Sequence, residues 1–302
     1  MPKVNVRVPA STANRGPAFD CLGLALDLWN ETSFEPNGDE LVVEIGGEGE
    51  NEIPRDKSNL IVEAFKRVYA EARQEAPAGL QIKCEQKIPL GSGLGSSAAA
   101  ILAGMLGANA LLGEHFKTQD LLQFGAEMEG HADNLAAALF GGLVLVTQEG
   151  GRQAAQRLDC VPLYAVVVLP EVRLTTKEAR IALPKQVPLA DVVFNIGRSL
   201  QVAEALRQGD IPALATAMQD KLHQPHRLPL IPGAAEALEA ARQAGAAAAL
   251  SGAGPGLIAF VEEGREKAIT EALRAPLAQR GIKTSQYLLR SSDQGAQVEL
   301  NS

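Results

Sequence analysis

The sequence predicts an α+β protein of two lobes. Three observations carry this. The chain has 302 residues, 46% of them apolar, enough for a large core. Alternating apolar strands are separated by pairs of helical patterns, which fits antiparallel sheets better than a doubly wound parallel one. The character also turns polar over 150–159, and VPLYAVVVLP then begins a new, strongly apolar strand. The boundary is placed there, giving units 1–155 and 156–302.

Val4, Val6 and Val8 alternate with Asn5 and Arg7, the pattern of a half-buried strand. PASTANRGPAFDCLGLALD follows as a polar, glycine-containing segment leading back into apolar sequence. A strand or hairpin is expected over 41–45. In NLIVEAFKRVYAEAR, Leu60, Ala64, Val68 and Ala72 mark one helical face, with Ile61 and Phe65 beside it. Residues 80–84 alternate again and lead into a glycine-rich stretch. Beyond it, Ser96 or Ser97 is expected to cap a helix running to about Leu112. Gly104 and Gly107 weaken that helix by up to about 1 kcal/mol each, so they mark close packing against a sheet. Thr118 is the expected cap of a second helix, TQDLLQFGAEMEG, and LFGGLVLVTQEG reads as a glycine turn and a strand. In the second half, helices are expected over 189–208, 211–222 and 234–244. AAAALSGAGPGLIAFVEE reads as strand, glycine turn, strand, and a further helix and a strand near 286–290 complete the chain.

A net charge of -8, with both signs mixed along the chain, gives no basic patch and so no nucleic-acid surface. Cys21, Cys84 and Cys160 lie too far apart in sequence for a disulfide framework or a zinc site, and fit a reducing compartment. The N-terminus lacks the apolar core of a signal peptide, and no apolar run reaches membrane-spanning length. A cytoplasmic protein without a membrane or nucleic-acid partner is expected.

The chemistry concentrates at PLGSGLGSSAA, residues 89–99. A Walker loop ends in Gly-Lys-Ser/Thr, and here Ser96-Ser97 follow the last glycine. A dinucleotide fingerprint spaces its glycines differently from Gly91, Gly93 and Gly95. Glycines let successive N–H groups turn inward as a nest for anions, and the start of the next helix adds unpaired N–H groups and positive potential. The site matches phosphate. A turn used only for packing has the same composition and remains the alternative. Ser92, Ser96 and Ser97 bring hydroxyls to the same rim.

Glu127 lies near a helix end, followed by Glu129, His131, Asp133 and Asn134 in AEMEGHADN. If the helix persists, Glu127 and His131 share a face. An oxygen ligand of this kind suits magnesium; solvation of a helix end and capping by Asp133 or Asn134 are the plainer readings. Asn14, Arg15 and Asp20 sit among turn residues, where Asn and Asp are common in any case. Lys177 and Arg180 are three apart, and His223, His226 and Arg227 cluster in KLHQPHRLP. An arginine there can grip a carboxylate with two prongs, or simply face solvent.

Three segments in order, PASTANRGPAFDCLG (9–23), PLGSGLGSSAA (89–99) and LSGAGPGLIAF (250–260), make the chain resemble the GHMP kinase superfamily over essentially its whole length. The likeness is strongest to its homoserine kinases, through GPAFDCLG, EGHADNLAAALFGG, TTKEARIALP and QPHRLPLIPG. Mevalonate kinases typically show His-Gly-x-Pro-Ser-Gly-x-Asp where this chain has His-Ala-Asp-Asn. The resemblance implies a two-lobed GHMP kinase fold: a ribosomal-protein-S5-domain-2-like N-terminal lobe binding ATP (1–155) and a ferredoxin-like C-terminal lobe (156–302).

It further implies transfer of the γ-phosphoryl of ATP to the side-chain hydroxyl of L-homoserine, with Mg2+. Pro89, Leu90, Gly91, Ser92, Gly93, Leu94, Gly95, Ser96, Ser97, Ala98 and Ala99 would wrap the phosphates, and Asn59 would lie near the adenine. Ser97 and Glu127 would meet magnesium. Asn14, Asp20, His131 and Asn134 would line the amino-acid pocket, with Arg180 and Arg227 on the substrate carboxylate or the transferring phosphoryl. Arg198, in FNIGRSL, falls in another pocket-lining region. A homodimer is expected. A sister kinase acting on mevalonate, phosphomevalonate or a cytidyl-erythritol, and a silent nucleotide or amino-acid sensor, are the alternatives. Two positions depart from the family pattern: Ala18, where glycine is frequent, and Gly256, where serine or threonine is frequent.

Overall fold

A computed structural model of the chain describes residues 3–301. The opening alternation does not stop at Val8. Strand β1 (Lys3–Asn14) continues through the polar segment, turns over residues 15–17, and β2 (Ala18–Pro36) runs back beside it. The segment expected as a connection is thus the tip of a long antiparallel hairpin. Alternation fails there because Ser11, Thr12 and Asn14 are buried against other polar segments rather than against apolar core.

The chain continues through β3 (Leu41–Gly47), α1 (Leu60–Glu71), β4 (Leu80–Gln86), α2 (Ser96–Leu111), α3 (Thr118–Glu129), α4 (Asp133–Phe140), β5 (Leu143–Glu149) and β6 (Arg152–Leu158). Buried Asn30 of β2 accepts the N–H groups of Lys87 (2.8 Å) and Ile88 (2.9 Å), turning the chain out of β4 toward the glycine-rich stretch. Helix α2 is apolar on every side, as a central helix must be. Its glycines serve two neighbours. A Cβ on Gly107 would come within 2.5 Å of the Phe34 ring of the sheet, as expected, but one on Gly104 would meet the Ile61 carbonyl of α1 at 2.2 Å.

Helix ends differ from expectation. The residue before α2 is Gly95, left-handed at φ 72°, with no side-chain cap, so Ser96 and Ser97 lie in the first turn. Before α3 the turn is closed by Asp120, whose carboxylate takes the Lys117 N–H, rather than by Thr118. Gly130 (φ 87°) stops α3 at Glu129, so Glu127 and His131 do not share a helical face.

The remaining elements are β7 (Tyr164–Pro170), α5 (Thr176–Ile181), α6 (Leu189–Gln208), α7 (Ile211–Ala217), α8 (Gln224–Arg227), α9 (Ala234–Gln243), β8 (Ala247–Leu250), β9 (Leu257–Val261), α10 (Glu266–Gln279), β10 (Thr284–Arg290) and β11 (Gln297–Asn301). The helix expected over 211–222 is shorter. Past Ala217 the chain wraps around the buried carboxylate of Asp220, which accepts the N–H groups of Leu222, His223 and Gln224.

Among the described residues seven strands form the first sheet, in the order β11-β1-β2-β4-β3, with β5 on the early part of β2 and β6 beyond it, and of these pairs only β3 and β4 run parallel. The second sheet, β10-β7-β9-β8, is antiparallel. With α9 and α10 on its face, its connectivity is the β-α-β-β-α-β of a ferredoxin-like lobe. The junction between residues 155 and 156 lies inside β6, which pairs with β5, and β11 returns to the first sheet beside β1. Among the described residues no helix is long and apolar enough to cross a membrane.

Candidate active site

The three glycine-containing segments meet at one place. Ser11 N–H donates to the Leu94 carbonyl (3.0 Å), and the Ser251 hydroxyl is 2.7 Å from the Gly93 carbonyl and 2.9 Å from Thr12 Oγ1. Asn14 Nδ2 donates to the Gly252 carbonyl at 2.8 Å. Together they wall a cleft of about 800 Å³ between the lobes. Gly256 belongs to this packing: a Cβ there would lie 2.3 Å from the Ser92 carbonyl, so the third segment sits backbone to backbone on the loop. Ala18, the other departure, has a buried methyl at the start of β2.

Gly91, Gly93 and Gly95 are all left-handed, at φ 59°, 76° and 72°. At Gly93 space is also short, since a Cβ would touch the Ser251 carbonyl at 2.1 Å. Ser92 is turned inward, its hydroxyl donating to the Pro89 carbonyl (2.7 Å) and accepting the Leu94 N–H (3.2 Å), so it braces the loop. Among the described residues, the N–H groups of Gly93, Gly95, Ser96 and Ser97 have no protein acceptor, and all four residues line the cleft. Four orphan donors at the positive end of a 16-residue helix can hold an anion. Leu90, Gly91 and Ser92 line the cleft as well. Pro89, Leu94, Ala98 and Ala99 do not; their side chains are buried beneath it and anchor the loop.

Across from the helix start, the Ser97 hydroxyl donates to Glu129 Oε2 at 2.7 Å. Glu129 is therefore the carboxylate at the loop, not Glu127. Glu127 points the other way, on Arg67 (2.8 Å) and Gln123 (2.9 Å), half exposed and outside the cleft. The reason is the stop at Gly130: the last residue of α3, not one two positions earlier, faces the glycine loop. His131 follows, its Nδ1 3.1 Å from Asp133 Oδ1. Burial pulls its pKa down, but the Asp133 hydrogen bond and the charges of Asp133 and Glu129 outweigh burial and Arg180, and the net shift is upward. Asn134 lines the cleft with its Oδ1 taken by the Ser11 hydroxyl (3.0 Å).

At the other end, Asp20 and Arg180 form a two-pronged pair. Asn14 and Asp20 are both left-handed (φ 69° and 56°), and Asn14 Oδ1 accepts the Asp20 N–H at 2.9 Å. Asn14 thus holds Asp20 and Gly252 in place, and this bracing occupies its amide. The Phe19 ring lies against both arginines, 5.5 Å from the Arg180 guanidinium and 5.2 Å from that of Arg227. Arg227 is buried. It donates to the Ala179 carbonyl (3.1 Å) and the Gly252 carbonyl (3.3 Å), and no carboxylate of the described residues lies within ion-pair distance. Burial and the neighbouring Arg180 bring it to about 10, so it is still a cation at neutral pH. His223 stands behind it, with Nε2 on the Gly16 carbonyl (2.6 Å) and Nδ1 facing Arg227 Nη1 (3.4 Å).

Two other expected residues lie elsewhere. Asn59 is buried as the cap of α1, accepting the Ile61 N–H (2.9 Å) and donating to the Pro54 carbonyl (2.7 Å), and does not line the cleft. Arg198 lies over the Phe194 ring on the outside of α6. Residues that the sequence reading did not single out do line the cleft: Glu52, Leu169–Thr176 in the strand end and loop after β7, Ala253 and Ser285. A strand end opposite a glycine loop carries no local motif, so only the fold reveals it.

The fold and the loop define a class. The family described as GHMP kinases N terminal domain matches residues 59–142, and GHMP kinases C terminal matches 202–279. The chain belongs to the GHMP kinases, which use ATP. Within them it belongs to the homoserine kinase family. It is 43% identical to a homoserine kinase of Moorella thermoacetica over 97% of this chain and 99% of that protein. A homoserine kinase of Prochlorococcus marinus is 40% identical over 97% and 95%. The crystal structure of homoserine kinase from Cytophaga hutchinsonii superposes with a TM-score of 0.85 at 32% identity, covering 98% of this chain and 97% of that one. A mevalonate kinase of L. major, at 17% identity and a TM-score of 0.72, shares the fold.

Proposed function

We propose that this chain transfers the γ-phosphoryl group of ATP to the side-chain hydroxyl of L-homoserine, releasing ADP and O-phospho-L-homoserine. One observation carries the choice of acceptor: Arg227, a buried cation lining the cleft with no carboxylate of the described residues within ion-pair distance, beside the Asp20–Arg180 pair. Burying an unbalanced charge is costly, so such a site favours an anionic group that completes it. An amino acid has the matching charges. Its carboxylate meets Arg227 and Arg180, its ammonium meets Asp20, and its hydroxyl extends toward the Ser97–Glu129 end.

In this reading the free N–H groups of the loop hold the phosphate oxygens, stabilising charge where it develops. The hydroxyl of Ser97 and the carboxylate of Glu129 fit Mg2+, a hard ion that keeps several waters and takes few protein oxygens. When bound, the ion offsets negative charge on the phosphates. Asn134 lines the same cleft, its Oδ1 held by the Ser11 hydroxyl. Asp20 is engaged with Arg180 and is placed to orient the acceptor rather than to strip its proton. Residues 1–155 are the proposed ATP-binding domain and 156–302 the proposed C-terminal kinase domain, the latter supplying Arg180 and Arg227. A cytoplasmic setting is supported by three free cysteines.

The test is a panel of alcohols with Mg·ATP, comprising L-homoserine, mevalonate, phosphomevalonate and a cytidyl-erythritol, with ADP release and product mass measured. ADP stoichiometric with phosphohomoserine is expected. Faster turnover of another alcohol, or ATP binding with no ADP from any acceptor, contradicts the proposal.

A further inference from the structure

Five carboxylates and three arginines line the cleft between the lobes, and among the described residues no lysine does. A triphosphate entering it meets more acid than base, so each cation there counts. Arg180 is held through both prongs by Asp20, and Arg227 is the cation assigned to the acceptor's carboxylate. Arg173 is the third. It is exposed, and no carboxylate of the described residues lies within ion-pair distance of it. Glu178, in the first turn of α5, is already taken by the Thr175 N–H (2.8 Å) and hydroxyl (2.6 Å).

The neighbours of Arg173 pin its backbone. Glu171 N–H donates to the Lys283 carbonyl at 2.9 Å, and Val172 N–H to the Pro170 carbonyl at 2.7 Å. Val172 and Leu174 pack against the core of the second lobe, and the residue between them lines the cleft instead. Thr175 caps α5 directly afterwards. A long side chain without a partner thus stands on a fixed stretch of chain.

Leu174 also ties this stretch to the glycine loop. A Cβ on Gly254 would lie 3.6 Å from Leu174 Cδ2, and one on Gly93 would lie 3.3 Å from the Gly254 carbonyl oxygen. The residue after Arg173 is therefore packed on the third glycine-containing segment. That segment in turn rests on the loop, through the Ser251 hydroxyl on the Gly93 carbonyl at 2.7 Å.

We propose that Arg173 binds the β- and γ-phosphate oxygens of ATP, reaching from the second lobe toward the phosphates that the loop N–H groups hold from the first. The inference rests on the kinase reading above and adds to it a side chain that answers the charge of the triphosphate. Phosphoryl transfer calls for full positive charge near the moving group as well as for backbone donors. A guanidinium suits the task, because its planar fork takes two phosphate oxygens at once and it stays charged at neutral pH.

Calorimetric titration without an acceptor tests it, with Mg·ATP and AMP as separate ligands. Arg173→Ala is expected to bind Mg·ATP about 10-fold more weakly than wild type and AMP equally well, since AMP lacks both outer phosphates. Arg173→Glu should lose more, and Arg173→Lys should fall between Arg173→Ala and wild type. The melting temperature should not move, and in steady state KM for ATP should rise while KM for homoserine keeps its wild-type value. Undiminished Mg·ATP affinity in Arg173→Ala, or an equal loss for Mg·ATP and AMP, overturns the proposal and leaves the kinase reading standing. A wild-type chain that binds no Mg·ATP overturns both.

Discussion

Asp20 and Arg180, separated by 160 positions in sequence, meet through two parallel contacts, Oδ1 to Nη2 at 2.9 Å and Oδ2 to Nη1 at 3.0 Å. One side chain comes from the hairpin of the first lobe and the other from α5 after the first strand of the second, so the pair spans the cleft. It also presents opposite charges side by side, the complement of a zwitterion. Asp20→Asn keeps the shape and removes the charge. KM for homoserine should rise about 10- to 100-fold, the worth of one charge-assisted contact, while KM for ATP stays within about twofold. The melting temperature should change little, because the pair is about one-third exposed and screened by water. Steady-state kinetics with each substrate varied in turn checks this.

Glu129 and Glu127 separate cleanly. Glu129→Gln removes the carboxylate beside Ser97 and should lower kcat about 100- to 1,000-fold, with a raised requirement for free Mg2+. Glu127→Gln loses only exposed contacts with Arg67 and Gln123 and should stay within about twofold of wild type. A magnesium titration of kcat for both variants decides between them.

His223 makes the cleft sensitive to acid. Burial holds its pKa below the ordinary 6.5, against the opposing charge of Asp220. The stability tied to the neutral imidazole is therefore present above pH 6.5 and is lost as pH falls through the lower, folded value. Nε2 faces a carbonyl, so in the neutral ring that nitrogen carries the proton, and Nδ1 is left to accept from Arg227. Protonation removes that acceptor and sets a second cation beside the first. KM for homoserine should rise on acidification below pH 6.5 while KM for ATP stays flat. His223→Gln should flatten the dependence of melting temperature on pH.

Arg15 is a buried cation outside the proposed chemistry. It is fully buried, and burial brings its pKa to about 9, only partly offset by Cys160 and Asp133. It donates to the Leu22 carbonyl at 2.8 Å and to that of Thr12, while Nε has no partner among the described residues. A buried charge without an ion-pair partner is poor stabilisation, so an apolar side chain of similar length should serve as well. Arg15→Met should unfold at a denaturant midpoint equal to or above wild type. Arg15→Lys, which keeps the charge and loses the fork, should fall about 2 kcal/mol below Arg15→Met.

The glycine loop was legible because its chemistry is local: three glycines at two-residue spacing before a helix leave few other uses for the backbone. Asp20, Arg180 and Arg227 were reachable through the family resemblance, and the fold brings all three to one cleft. Glu127 was chosen over Glu129 because a single glycine decides where α3 ends, and propensity does not fix a helix end to within two residues. Asn59 shows the converse. Its position directly before LIVEAF is a capping signal, and capping is the role it has. The hairpin tip escaped because Asn14, Arg15 and Asp20 take left-handed conformations that tertiary contacts impose. The return of β11 to the first sheet depends on pairing with β1, some 290 residues earlier, and no pattern within either strand records it.

The account rests on Arg227 as the cation that recognises the acceptor's carboxylate. The direct measurement is the ratio of kcat/KM for L-homoserine to that for aminopropanol, which lacks the carboxylate, in wild type and in Arg227→Leu. Wild type should favour homoserine by about 1,000-fold or more, since losing the partner of a buried charge is worth about 4 kcal/mol, and Arg227→Leu should bring the ratio within about tenfold of unity. An Arg227→Leu enzyme that turns over at a measurable rate and keeps the wild-type ratio would contradict the account.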